Sequence, residues 1–163
     1  MKKSNKLIII GVSLIFVSLL LMLMIFNRAT NTIEKNATLD MIDCNSSKVN
    51  VFVFWGDGCP HCKKEFEYLE KISKRYSNYF DVYGFETWFN EDNSKMMNKF
   101  RELVKDEASG IPYTIVGDKV FHGFANEMQD ELLNAIIEEY KSKDKTNYCE
   151  KIKKEFTTNN KTE

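Results

Sequence analysis

A short run of β-branched and aromatic residues, Val51-Phe52-Val53-Phe54-Trp55, stops at Gly56-Asp57-Gly58 and is followed at once by Cys59-Pro60-His61-Cys62. An unbroken apolar run of this length reads as a strand buried on both faces. Beyond it, Phe66, Leu69, Ile72 and Tyr76 recur at helical spacing among lysines and glutamates, which read as a solvated face. The two cysteines therefore fall in the first turn of a helix that follows directly on a strand. A helix N-terminus presents unpaired N–H groups and about half a positive charge, and both favour a thiolate. Residues i and i+3 are neighbours on a helix, so the two sulfurs can close a disulfide across one turn. Pro60 is tolerated there because its missing N–H would have been unpaired anyway. His61, when protonated, adds a cation beside the sulfur. The expected chemistry is disulfide exchange: Cys59 attacks or is attacked by a partner's sulfur, a mixed disulfide forms, and Cys62 resolves it.

The elements after this junction follow the same periodicities. Asp81–Glu86 reads as a second strand and Asn90–Asp106 as a second helix, with Met96, Met97, Phe100, Leu103 and Val104 on one face and Asn90 or Asn93 as its cap. Pro112–Val116 and Lys119–Phe121 are short strands around Gly117-Asp118, a two-residue hairpin signal. Asn126–Tyr140 closes the series as a helix. The order is β-α-β-α-β-β-α, an α/β class with a mixed four-stranded sheet flanked by helices. Its first two strands should be parallel and its last two antiparallel. Trp88-Phe89 and Tyr79-Phe80 are expected in the core or at its rim, with Trp88 also a candidate for lining a partner groove.

The N-terminal residues have a different character. Lys2, Lys3 and Lys6 precede Leu7–Phe26, 20 residues that are almost all apolar. As a helix that run is about 30 Å long, enough to cross a bilayer. A cleaved signal peptide is the rival reading, but its apolar region is usually only about 7–15 residues. The lysines place residues 1–6 in the cytoplasm, make 7–26 a transmembrane signal anchor and put the rest of the chain outside. Residues 27–49 then read as a polar stalk with a short helix around 33–43, residues 50–141 as the globular domain, and residues 142–163 as a polar tail. Within that tail Tyr148–Phe156 has enough apolar residues for one or two helical turns. The formal net charge of −1 gives no reason to expect nucleic acid as a partner.

The segment Trp55-Gly56-Asp57-Gly58-Cys59-Pro60-His61-Cys62-Lys63-Lys64 resembles the active-site segment of thioredoxin-like proteins, and its Cys-Pro-His-Cys tetrad resembles that of DsbA-type oxidases. Gly110-Ile111-Pro112 resembles the family's cis-proline loop, and Gly123 after the last strand also fits. The resemblance covers residues 50–140 and implies a thioredoxin fold. It implies that Pro112 packs against the active-site disulfide, and that Ile111 and Trp55 meet the bound partner, Ile111 through its backbone. Cysteine-containing proteins are the implied substrates, with a separate redox partner for recycling and no cofactor beyond the Cys59–Cys62 disulfide itself. Two features depart from the pattern. Only 49 residues separate Cys62 from Pro112, too few for the helical insertion of DsbA-type oxidases. The strand position where thioredoxins bury an acidic residue is Val53, which leaves Glu65 or water to move the proton of Cys62.

Other readings remain open at this point. Cys59 and Cys62 would suit a static disulfide or half of a zinc site, but zinc needs four ligands and no second C-x-x-C or H-x-x-x-H is present, so no metal is expected. A redox-inert binding module on the same fold is a further alternative, as is a membrane-tethered reductase in place of a disulfide donor. Cys44 and Cys149 are left as a pair once 59 and 62 are joined. They are expected to form a structural disulfide tying stalk to tail, against two unpaired thiols or a second relay. His122 reads as a surface histidine at a strand end.

Overall fold

The computed structural model describes residues 12–20, 32–146 and 148–159. Residues 12–20 form helix α1 and are exposed. The other residues of the expected membrane span, 7–11 and 21–26, lie outside the described residues, as does the expected cytoplasmic segment 1–6. Among the described residues no helix is long and apolar enough to cross a membrane.

The globular unit is built on a five-stranded sheet in the order β1-β3-β2-β4-β5. Its strands are β1 (Ile33–Glu34), β2 (Val49–Trp55), β3 (Phe80–Glu86), β4 (Tyr113–Val116) and β5 (Lys119–His122). β3 runs parallel to β1 and β2, whereas β4 is antiparallel to both β2 and β5. The helices are α2 (Pro60–Tyr76), α3 (Glu91–Val104), α4 (Gln129–Lys141) and α5 (Cys149–Asn159). The mixed sheet with helices on both faces supports a thioredoxin fold. Local signals set the ends of these elements. Asn90 caps α3 by accepting the Asn93 N–H at 3.0 Å. Gly117 turns the β4–β5 hairpin at φ 59°.

β2 is apolar throughout because its alternate residues enter two different cores. Val49, Val51 and Val53 join Phe66, Leu69 and Ile72 of α2 and Leu132, Ala135 and Ile136 of α4. Phe52 and Phe54 point the other way, to Met96, Met97 and Phe100 of α3 and to Cys149 and Ile152 of α5.

The sequence-based expectation of four strands is corrected to five, because part of the segment read as a stalk enters the sheet. Ile33 and Glu34 pair with Val82 and Tyr83, and no helix forms around 33–43 beyond a 3₁₀ turn at Leu39–Met41. Ala37 and Ile42 are buried, and the Ala37 N–H donates to the Gly84 carbonyl at 2.8 Å. Within the segment read as a polar tail, the helical turns expected at Tyr148–Phe156 belong to α5, which is longer than expected and has Cys149 and Ile152 buried. Both segments are mostly polar, and each is docked by only a few apolar residues, too sparse to give a clear period.

Candidate functional site

The site begins where β2 ends. The Trp55 carbonyl accepts the Thr87 N–H at 2.8 Å and the Thr87 hydroxyl at 3.0 Å, which fixes the strand end against the loop after β3. The chain then turns through Gly58, at φ 81°, and the Cys59 N–H donates back to the Gly56 carbonyl at 3.1 Å. Cys59 is extended, at φ −71° and ψ 114°, and is the N-cap of α2 with Pro60 as the first helical residue. Its sulfur accepts the backbone N–H of Cys62 at 3.1 Å. The cap position that a serine or aspartate oxygen commonly fills is filled here by sulfur. The first turn of α2 holds no acidic residue, so the helix dipole acts on Cys59 unopposed by a carboxylate on its own turn.

Cys59 and Cys62 are joined in a disulfide with Cα atoms 5.3 Å apart. Cys59 is 8% exposed and Cys62 1%, so an incoming sulfur can reach only the first. His61 is exposed, and its Nδ1 lies 3.1 Å from the Phe124 carbonyl oxygen. Because that partner is a carbonyl, Nδ1 is the donor, and the ring links α2 to the segment after β5. Pro60 is exposed beside it.

The Ile111–Pro112 peptide bond is cis, and Pro112 is buried with its carbonyl accepting the Gly123 N–H at 2.8 Å. Gly123 itself has φ 70°. Ile111 and Trp88 both close over Gly56: a Cβ there would overlap the Trp88 ring and lie 2.7 Å from the Ile111 Cδ1. The structure thus brings Trp55, Cys59, Pro60, His61 and Cys62 to one end of the sheet, with Ile111 and Pro112 on the adjoining loop. Cys44 and Cys149 are not part of this group. They form a second disulfide, with Cα atoms 5.4 Å apart, in the core under α3 and α5.

Glu86 and Lys35 join the site without a local signal in the sequence. Trp88 and Phe89 are 56% and 82% exposed, so neither lies in the core, and the exposure of Trp88 is compatible with the other expectation for it, lining a partner groove. Glu86, at the end of β3, holds their loop in place. Its carboxylate accepts the N–H groups of Trp88 at 2.9 Å, Phe89 at 3.0 Å and Asp57 at 3.4 Å, joining that loop to the turn before Cys59. On the other side of the disulfide a cavity of about 540 Å³ is lined by Cys59, Cys62, Trp55, Phe66, Lys35 and Glu70. Lys35 closes it from the segment after β1, through the Trp55 Nε1–H donated to its carbonyl at 2.7 Å and an ion pair with Glu70 at 2.8 Å.

Glu65 is the largest departure from the expected solvated face of α2. It is 0% exposed. The Thr114 hydroxyl donates to its Oε1 at 2.7 Å, and Oε2 has no hydrogen-bond partner among the described residues. Burial pushes its carboxyl up to about 8, with the Thr114 hydrogen bond acting the other way. A signal was present in the sequence: Glu65, Leu69, Ile72 and Tyr76 follow the i, i+4, i+7, i+11 apolar stripe of the helix.

No protein-family model and no curated protein matches the chain. Among solved structures it is similar to a glutaredoxin from Archaeoglobus fulgidus at 27% identity, covering 52% of this chain and 86% of that one with a TM-score of 0.38. It is similar to a thioredoxin-like protein from Clostridium perfringens at 19% identity, covering 67% and 84% with a TM-score of 0.44. A third likeness, at 16% identity, covering 68% and 94% with a TM-score of 0.42, is to a chain in the complex of ferredoxin:thioredoxin reductase and thioredoxin f2.

Proposed function

We propose that this chain exchanges disulfides with cysteine-containing proteins through Cys59 and Cys62, acting as a disulfide donor outside the cytoplasm while residues 7–26 anchor it in the membrane. The observation that carries the reading is the Cys62 N–H aimed at the Cys59 sulfur at the mouth of α2. A substrate thiolate attacks the Cys59 Sγ, the Cys59–Cys62 bond breaks, and its electron pair leaves on the Cys62 Sγ, which then takes up a proton. A second substrate thiolate attacks the substrate sulfur of the mixed disulfide and releases Cys59 as a thiolate, the species that the N-terminus of α2 stabilises. The substrate leaves oxidised and the chain leaves reduced, so a separate electron acceptor, such as a membrane oxidase, must restore the disulfide.

Donor direction is favoured by a site that stabilises the reduced form: the sulfur-capped helix end, no acidic residue in its first turn, and His61 beside it. An extracytoplasmic place suits a chain whose four cysteines are all paired. The reduction potential of the Cys59–Cys62 pair in glutathione buffers tests the direction. A value above about −150 mV supports a donor, and one near about −270 mV reverses the reading to a membrane-tethered reductase.

A further inference from the structure

The opening step leaves a thiolate on Cys62, whose side chain is almost wholly buried at 1% exposure. A buried anion without a counter-charge is costly, so a proton donor fixed close to Cys62 within the protein lowers the cost of opening. Cys62 and Glu65 stand three residues apart on the buried face of α2, which puts their Cβ atoms about 5–6 Å apart. Thr114, which holds Glu65 Oε1, is the register partner of Val53 in the β2–β4 ladder, so the carboxyl is fixed in the core against the middle of β2. Among the described residues no cation forms an ion pair with it, and its Oε2 is left without a hydrogen-bond partner. For stability alone such a group is a liability, and an apolar side chain would fill the position better.

We infer that Glu65 is the proton donor to Cys62 when the Cys59–Cys62 disulfide opens, and the proton acceptor from Cys62 when it closes again. The inference rests on the disulfide-exchange reading and assigns to a helix residue a proton transfer for which β2 offers only Val53. In the opening step the neutral carboxyl gives its proton from Oε2 to the Cys62 Sγ, and the products are a Cys62 thiol and a Glu65 carboxylate still held by Thr114 through Oε1. The reverse step returns that proton and frees the Cys62 thiolate to attack the mixed disulfide at Cys59. Proton transfer by a positioned side chain contributes typically 10²–10⁴-fold, most when its pKa lies near the working pH. A carboxyl raised to about 8 meets that condition against a thiol.

The test is the rate at which dithiothreitol opens the Cys59–Cys62 disulfide of the full chain between about pH 6 and pH 9.5, expressed per attacking thiolate. For the wild-type chain the rate constant is expected to be high at low pH and to fall through a midpoint near 8 as Glu65 loses its proton. For Glu65→Gln it is expected to be flat and, at neutral pH, lower by about tenfold or more. Thr114→Val removes the hydrogen bond that favours the carboxylate, and is expected to move the midpoint upward. A flat wild-type profile overturns the inference without reference to any variant, so a Glu65→Gln chain that does not fold does not rescue it. Identical falling profiles in wild type and Glu65→Gln also overturn it. If dithiothreitol does not open the disulfide at all, the exchange reading fails together with this inference.

Discussion

The backbone N–H of Cys62 donates to the sulfur of Cys59 at 3.1 Å, so the cap of α2 is one of the two reacting atoms. The same hydrogen bond remains available to the thiolate once the disulfide is reduced, and it is stronger when its acceptor is charged. In the reduced protein Cys59 is therefore expected to react with iodoacetamide at neutral pH about tenfold or more faster than Cys62. Mass spectrometry of partly labelled protein checks this, and preferential labelling of Cys62 would contradict the assignment of the attacking sulfur.

Gly84 allows the segment after β1 to lie against β3. A Cβ at this position would come within 2.7 Å of the Lys35 carbonyl oxygen and 2.8 Å of the Phe66 ring. The first of these is backbone and cannot swing aside. Gly84→Ala is expected to cost about 1–3 kcal/mol in urea unfolding. It is also expected to change the fluorescence of Trp55, whose indole N–H is held by the Lys35 carbonyl. Unchanged stability together with unchanged fluorescence would mean that the Lys35 segment is not docked as described.

The Cys44–Cys149 disulfide closes a loop with a sequence separation of 105 and ties the segment before β2 to α5. Replacing both residues by alanine is expected to lower stability by about 2–5 kcal/mol, read from the urea midpoint of the oxidised protein. The Cys59–Cys62 pair should still open and close in that variant, because the two disulfides lie in different parts of the molecule. An unaltered midpoint would show that the bridge carries no part of the fold.

Glu65 gives the protein a pH-dependent stability of known sign. Its carboxyl titrates near 4.5 when unfolded and near 8 when folded, so the folded state holds the proton more tightly. The stabilising contribution of the neutral carboxyl is complete below pH 4.5 and is lost as pH rises to 8. The loss is on the order of several kcal/mol, at about 1.4 kcal/mol per pH unit. Glu65→Gln is expected to lack it, so the two proteins should converge or cross in stability as the pH is raised. Parallel stability curves from pH 5 to about pH 9 would contradict a buried neutral carboxyl.

The parts of the fold visible in the sequence were those dictated by local physics. The run Val51–Trp55, the cysteine cap with Pro60 behind it, the Asn90 cap and the Gly117 turn each act within a few residues, and the corresponding elements stand within about two residues of their expected ends. What was not visible depends on contacts distant in the chain. Ile33 and Glu34 pair because β3 presents an open edge to them, and a two-residue strand carries no period of its own. Ile152 is buried because α5 packs beside α3 and because Cys149 is bonded to Cys44. Within the site, Cys59, His61 and Cys62 are contiguous and were found together. The partnership of Glu65 with Thr114 spans 49 residues and depends on the β2–β4 register, and the hold of Glu86 on Asp57 likewise depends on β2 pairing with β3.

The central claim is that Cys59 is the sulfur that bonds to the substrate and Cys62 its internal partner, which leaves as the mixed disulfide forms and displaces the substrate when the exchange runs in reverse, and trapping in that reverse direction tests it most directly. The full chain carrying Cys62→Ala, incubated with a peptide disulfide, is expected to accumulate a stable mixed disulfide between Cys59 and the peptide, whereas Cys59→Ala accumulates none. Equal trapping by both variants, or trapping only through Cys62, would contradict the account.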